Sequence, residues 1–407
     1  MVRFVVCVAL LGGASGAAAQ PLTLGDALKL ANAQHPLLRA ADAGVDVAEA
    51  GIVTARAYPN PQASVVAGTQ STGAGTVRTG VPAYVFEQPL ELGGLRSSRV
   101  GLAERGRESS GYARDEVRLS VLAGVRRTFY LVLRRRAEVE TATENVRFVE
   151  ALRDRIKVRV DVGEVGRLEL VRAEAEVASA RTLASSARLQ QVTALAQFRA
   201  AVGGRLPVGV ELSGALEPTV TLPAIEALRQ QAIAQHPTLA LAQSEVRRAD
   251  ARLAYETAQR RPQPTVRSEI DATDPTYRVG VGIPLPLWNR RQGPIAEAQA
   301  ATRQAAATAD ARQIAILEAL EGAVQRYEVA NQQVVLFEQG LLREAEEALR
   351  AAEVAYQLGE RGILEVLDAQ RVLRAVRIEF VNAQYDRQAA LVDLDELRGV
   401  DLRGMIP

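Results

Sequence analysis

The chain has 407 residues, 48% of them hydrophobic but only 4% aromatic. That is enough for two or three ordinary domains, yet poor in the large rings that fill a thick globular core. Its 49 basic residues face 48 acidic ones, which gives no reason to invoke nucleic acid, and its one cysteine excludes a disulfide framework.

Arg3, the apolar run Phe4 to Leu11 and Ala17-Ala-Ala19 read as a signal peptide over residues 1–19, cleaved before Gln20. Cys7 lies inside that run and not at the cleavage site, so no lipid anchor is predicted. Beyond the leader no stretch of about 18 apolar residues occurs, so any membrane crossing must use β-strands closed into a barrel.

Thr23 can cap a short helix through about Gln34, with Asp26 completing a capping box. His35-Pro36 ends it, because the residue before proline is pushed out of the helical region. A second helical pattern runs from Leu37 to about Ala57 and stops at Tyr58-Pro-Asn-Pro61. Strands are predicted over 62–70 and 83–90, flanking a Gly/Thr-rich loop from Ser71 to Gly80. Gln88-Pro-Leu-Glu-Leu-Gly-Gly-Leu-Arg96 then leads into a helix over 96–160, on the order of 100 Å long. Gly101, Gly106 and Gly111 weaken its start enough to allow a bend. Farther along, Arg134-Arg-Arg136 read as a solvated face. Two glycines, Gly163 and Gly166, turn the chain into a returning helix over 167–202.

The same order then recurs. Ala33-Gln-His-Pro36 returns as Ala234-Gln-His-Pro237, and Gly163 and Gly166 return as Gly359 and Gly362, an offset of 196 (359 − 163). The chain divides into a first repeat (20–203), a Gly/Pro-containing linker on the outside (204–222) and a second repeat (223–407). The second repeat has strands over 265–271 and 277–283 across the turn Ala272-Thr-Asp-Pro275, and helices over 294–357 and 363–398. In its last strand Tyr277, Val279, Val281 and Ile283 point one way, and Arg278, Gly280 and Gly282 the other. Steps of three and four mark one long seam from Leu317 through Leu320, Val324, Tyr327, Asn331, Val334, Glu338 and Leu341 to Ala345, Ala348, Ala352 and Ala355. A matching seam runs through Leu373, Val376, Phe380, Ala383, Arg387, Ala390, Leu394 and Leu397. Sustained heptads mean coiled-coil packing.

The fold class is an α+β membrane protein: long α-helical coiled-coil hairpins forming an α-barrel, plus four strands of a transmembrane β-barrel. Four strands cannot sit in lipid with open edges, and single-chain barrels begin at about eight strands, so three chains would supply a twelve-stranded barrel.

The proline-bounded strand pairs, long helices, Gly turns and internal repeat resemble the outer-membrane efflux protein (TolC-like) family over essentially the whole mature chain. Gln88–Arg96 and Pro284-Leu-Pro-Leu-Trp-Asn-Arg-Arg-Gln-Gly293 resemble its heavy-metal branch, the cobalt–zinc–cadmium resistance outer-membrane components, except that Leu95 stands where that branch usually has lysine. The resemblance implies a homotrimer in the outer membrane of a Gram-negative bacterium, reaching into the periplasm. Its partners would be a periplasmic adaptor and an inner-membrane pump of the resistance-nodulation-division type; catalysis and cofactors are not implied.

The resemblance also implies a periplasmic gate made by Tyr356, Arg361 and Glu169, with Arg361 bonding Glu169 across neighbouring hairpins; the acid is Glu where the family's is more often Asp. It makes the turns around Gly163, Glu164, Gly166, Gly359, Glu360 and Gly362 the tips that meet the adaptor. Glu164 and Glu360 occupy positions where the family more often carries a hydrophobic or small hydroxyl residue; in a trimer they would ring the mouth with carboxylates able to favour cations, against which stand cancellation by Arg167 and Arg361, an adaptor contact, or plain solvated charge. The histidines read as helix-stop residues and not as metal ligands. Drug efflux and type I secretion remain open as alternatives to metal export, as does a non-conducting periplasmic coiled coil.

Overall fold

The computed structural model describes residues 21–71, 77–204, 206–216, 220–271 and 276–400. The predicted leader, the tip of the first strand loop and the 272–275 turn lie outside these residues.

Two short helices open the chain, α1 (Leu24–Gln34) and α2 (Pro36–Arg56). Thr23 caps α1: its hydroxyl oxygen accepts from the Asp26 amide at 3.2 Å, and the hydroxyl itself donates to the Asp26 carboxylate at 2.6 Å. His35 does more than end α1. Its Nδ1 accepts the Leu37 amide at 3.2 Å and so caps α2. The second repeat does the same between α5 (Ile225–Gln235) and α6 (Pro237–Ala258), where His236 Nδ1 accepts the Thr238 amide at 3.2 Å.

Four strands, β1 (Gln62–Ser71), β2 (Val77–Pro89), β3 (Thr265–Asp271) and β4 (Tyr277–Gly282), form one antiparallel sheet in chain order. β2 starts earlier than predicted because the Gly/Thr-rich stretch keeps pairing past a register shift between Gly68 and Thr69, with Thr69 opposite Thr79 and Ser71 opposite Val77. The register sorts the sheet into two faces. One carries Val65, Tyr84, Phe86, Ile270, Tyr277, Val279 and Val281, all exposed. The other carries a charge ladder in which Arg267 meets Glu87 (3.5 Å) and Glu269 (3.4 Å), and Arg278 meets Glu269 (3.2 Å). An apolar face exposed in the single chain, backed by a polar face, is the pattern of a barrel wall. Both edge strands, β1 and β4, pair on one side only.

α3 (Leu95–Asp161) runs unbroken for 67 residues through its three early glycines. It packs on α2 and α6 along one half and on α4 (Arg167–Ala201) and α9 (Ile363–Leu397) along the other. The opposite strut is not one helix. α7 (Gln292–Leu336) and α8 (Leu342–Gln357) are separated by a π-turn over Phe337–Leu341, with Gly340 at φ 169 and ψ −29. The turn also resets the seam: beyond it the buried residues are Ala345, Leu349 and Tyr356, where an unbroken helix would bury Ala348 and Ala355. Along α9, Leu373, Val376, Ala383, Arg387, Ala390 and Leu394 are buried as the heptads require, and Arg387 faces Asn331 of α7 at 3.5 Å.

Each repeat buries a waist. In the first, Leu28 and Ala31 of α1 pack on Leu122, Val125, Phe129 and Leu133 of α3 and on Phe198 of α4, while in the second Leu228 and Ala232 pack on Leu320, Val324 and Tyr327. Burying each large side chain contributes about 1.5–3 kcal/mol. The linker is part of this core. Leu206 and Leu212 are buried in the first waist, and Leu212 pairs with Leu22 as a parallel bridge. Arg136 donates to the Leu212 carbonyl at 2.9 Å, and Arg134 and Arg135 both bond Glu138, so the predicted solvated run is tied to the fold.

Candidate functional site

At the far end of the helical body the two Gly turns have the same backbone. After α3, the Gly163 amide donates to the Val160 carbonyl (3.0 Å) and the Glu164 amide to that of Arg159 (2.9 Å). After α8, the Gly359 amide donates to Tyr356 (3.2 Å) and the Glu360 amide to Ala355 (3.0 Å). This is a Schellman motif twice over, and its left-handed position falls on Gly163 (φ 79) and Gly359 (φ 76), where a β-carbon is disfavoured. Gly166 and Gly362, in extended conformation, begin α4 and α9.

Side chains then join the two turns. Tyr356, buried on α8, donates its hydroxyl to Glu169 Oε2 of α4 at 3.0 Å. The guanidinium of Arg159, at the end of α3, lies 4.8 Å above the Tyr356 ring and donates to Glu164 at 2.6 Å. Glu164, Arg159, Tyr356 and Glu169 thus form one continuous polar chain across the hairpins. Burial, and then the bond to Glu169, raises the Tyr356 hydroxyl above the usual tyrosine range, so it remains a donor at neutral pH. The Glu164 hydrogen bond, opposed by burial, raises Arg159. Beside this chain lies a cavity of about 330 Å³ lined by Arg155, Arg159, Glu353, Tyr356 and Val366. One level above, Arg371 bonds Glu176 (2.6 Å), Gln370 bonds Asn145 (3.0 Å) and Arg377 bonds Glu144 (3.1 Å), each tying α9 to the first hairpin.

Of the three gate residues, the structure brings Tyr356 and Glu169 together. Arg361 is exposed and its side chain makes no hydrogen bond or ion pair among the described residues. Glu164 and Glu360 are both exposed, but among the described residues only Glu164 has a cationic partner. Arg159 is the residue that sequence reasoning missed. Its signal was available, a cation in the last turn of α3, four residues before the Gly and five before an acid. Among the described residues no cluster of His, Cys, Asp or Glu is arranged to hold a metal ion, and no helix is long and apolar enough to cross a membrane.

The family model for outer membrane efflux proteins matches residues 27–204 and 228–400, one segment in each repeat. The cobalt-zinc-cadmium resistance protein CzcC of Cupriavidus metallidurans is 32% identical over 398 residues, covering 94% of this chain and 91% of that protein. Among solved structures, CusC superposes with a TM-score of 0.79 at 18% identity over 92% of both chains. The CmeC outer membrane channel of Campylobacter jejuni superposes with a TM-score of 0.81 at 16% identity, over 92% of this chain and 85% of that one.

Proposed function

The chain belongs to the outer membrane efflux protein family and is an outer-membrane efflux channel reaching into the periplasm; from that premise we propose that it works as a homotrimer conducting heavy-metal cations. The observation that carries the trimer is the sheet. Its apolar face suits lipid, but its two unpaired edges are untenable there unless β4 of one copy pairs with β1 of the next, and three copies close a twelve-stranded barrel. Energy would come from an inner-membrane pump of the resistance-nodulation-division type, reached through a periplasmic adaptor that engages the two Gly tips. The metal cargo is supported by the 32% identity to a cobalt-zinc-cadmium resistance protein.

The tip network is the gate in this reading. Tyr356 and Glu169 hold the two hairpins of one chain together, and Arg361 is left to seek an acid on a neighbouring hairpin of the trimer. Charge-assisted bonds of modest strength suit a latch that adaptor contact must release.

The test is cellular cobalt, zinc and cadmium in a strain lacking the chain and in the same strain complemented. Higher metal in the deletion, reversed by complementation, is the expected result. Unchanged metal, with no redundant channel present, would move the cargo to drugs or proteins. For the gate, Arg361→Ala should raise resting conductance through the purified channel; unchanged conductance would remove Arg361 from the latch.

A further inference from the structure

Between the sheet and the waist, α2, α3, α6 and α7 stand side by side, and together they line an open concavity of about 720 Å³. A concavity lined by all four helices lies on the inner side of their arc, which in the trimeric duct proposed above is the lumen. Its chemistry is uneven. α2 and α3 contribute small or uncharged residues such as Ala48, Gly51, Ala103 and Gly106, which let the arc curve inward. α6 and α7 contribute all the charge of the lining: Glu245, Arg248, Arg252 and Arg312.

The acids present do not balance the arginines. Glu245 is shared between Arg248, at 3.3 Å, and the Ser109 hydroxyl. Glu256, just above the lining, is buried and serves both Arg252, at 2.8 Å, and Arg291. Arg312 is exposed and its side chain makes no hydrogen bond or ion pair among the described residues. Within the lining, three guanidiniums face one carboxylate. The chain as a whole is nearly neutral, 49 basic to 48 acidic residues, so this excess is local. The strand section differs, since its ladder of Glu87, Arg267, Glu269 and Arg278 alternates in sign and cancels.

We propose that this section of the helical duct is an anion-favouring filter, set by rings of Arg248, Arg252 and Arg312 repeated around the trimer. Within a lumen, fixed charges of one sign concentrate counter-ions and repel co-ions. The chemical class that passes most easily is an anion or a ligated metal complex without net positive charge; a bare divalent cation meets repulsion. The inference rests on the trimeric-duct reading and narrows its cargo: the heavy metals would cross this section as ligated complexes without net positive charge, not as bare cations.

The test uses the full chain, whose only cysteine lies at position 7 in the predicted leader. Thr308→Cys places a thiol on the α7 wall between Gln304 and Arg312. Its labelling by an anionic and by a cationic methanethiosulfonate reagent is compared in purified protein, with free cysteine as the reference and the size of the assembly measured in parallel. The anionic reagent should be favoured by about tenfold at low salt, and Arg248→Gln, Arg252→Gln and Arg312→Gln together should bring the ratio close to that of free cysteine. The single variant Arg312→Gln, at an exposed position, provides the same comparison without burdening the fold. A ratio equal to that of free cysteine in the parent, or unchanged by the substitutions, would overturn the filter. A thiol that reacts with neither reagent would mean this face is covered and is not lumen. A monomeric assembly would instead sink the trimer on which the inference rests.

Discussion

The waist and the tip were both duplicated, and they have diverged differently. At the waist the repeats still use one device: His35 and His236 each cap the following helix through Nδ1, and Gly203 and Gly399 each lie against the His-Pro corner of their own repeat. At the tip the backbone is just as well preserved, but the side chains are not. Positions 159, 160 and 165 are Arg, Val and Val in the first repeat, and their counterparts 355, 356 and 361, at the same offset of 196, are Ala, Tyr and Arg. Each tip therefore supplies half of a single network, Arg159 with Glu164 and Glu169 from one and Tyr356 from the other. What builds the fold was kept in duplicate; what the tip does was divided between the copies.

The sharpest test contrasts glycines with equal backbones and unequal surroundings. A β-carbon at Gly399 (φ +63) would sit 2.7 Å from His236 Cα and 2.9 Å from the Gln235 carbonyl, both backbone atoms unable to yield. Gly399→Ala should cost about 3 kcal/mol or more, through strain and overpacking together. Gly203→Ala meets its corner at 3.3 Å and should cost less. Gly163→Ala and Gly359→Ala have nothing within 4 Å and should lose only the conformational term, about 1 kcal/mol. Thermal unfolding ranks the four, and tip glycines as costly as Gly399 would break the distinction.

Next in size is the tip network. Tyr356→Phe removes the bond to Glu169 but keeps the ring under Arg159, so about 1 kcal/mol should be lost. Arg159→Ala removes the cation above that ring, and the double variant should lose less than the two single losses added together, since both act in one network. Strict additivity would mean that the two tips are not coupled.

The waist histidines predict a smaller, pH-dependent effect. Burial holds both His35 and His236 below the usual histidine range, with Glu116 partly opposing this at His236. The unfolded chain then binds protons that the folded chain refuses. Their contribution is complete above about pH 6.5 and is lost as pH falls through that value toward the lowered folded pKa. Replacing both with Asn, which can cap helices without titrating, should flatten the fall in melting temperature between pH 7 and pH 5. An undiminished slope would assign the acid sensitivity to other groups.

The repeat, the strand parity and the α9 seam were legible because each rests on spacing, and spacing survives in a linear string. Tyr277, Val279 and Val281 share a face whatever the sheet does around them. The break at Gly340 was harder to see, because a lone glycine inside a strong heptad is ordinarily carried through, and it was the reset to Leu349 and Tyr356 that exposed the extra residue. The linker looked peripheral because Leu206 and Leu212 have no period, although their partners on α1 and α3 hold them in the waist. Arg159 was missed for a related reason: its importance comes from Tyr356, 197 residues away in sequence (356 − 159), and only the packing of the hairpins makes them neighbours.

The smallest effect bears most directly on the mouth. Glu164 and Glu360 occupy equivalent positions, yet Glu164 is neutralised by Arg159 at 2.6 Å, while the Glu360 side chain has no cationic partner among the described residues and its repeat carries Ala355 where Arg159 would stand. If carboxylates at the tip bias ion entry, Glu360, which has no bonded cation, should contribute more than Glu164, with Arg361 one residue away opposing it. Glu360→Gln should shift the reversal potential of the reconstituted channel toward anions with almost no change in stability. Glu164→Gln should cost at most about 0.5 kcal/mol, because the pair is solvent-exposed, and by unmasking Arg159 it should move selectivity the same way. Arg159→Ala should oppose both, freeing the Glu164 charge and favouring cations. No shift toward cations in Arg159→Ala would mean that Arg159 does not offset Glu164 at the mouth. If selectivity is unaltered in all three variants, the tip charges do not set it, and discrimination among ions falls to the duct above.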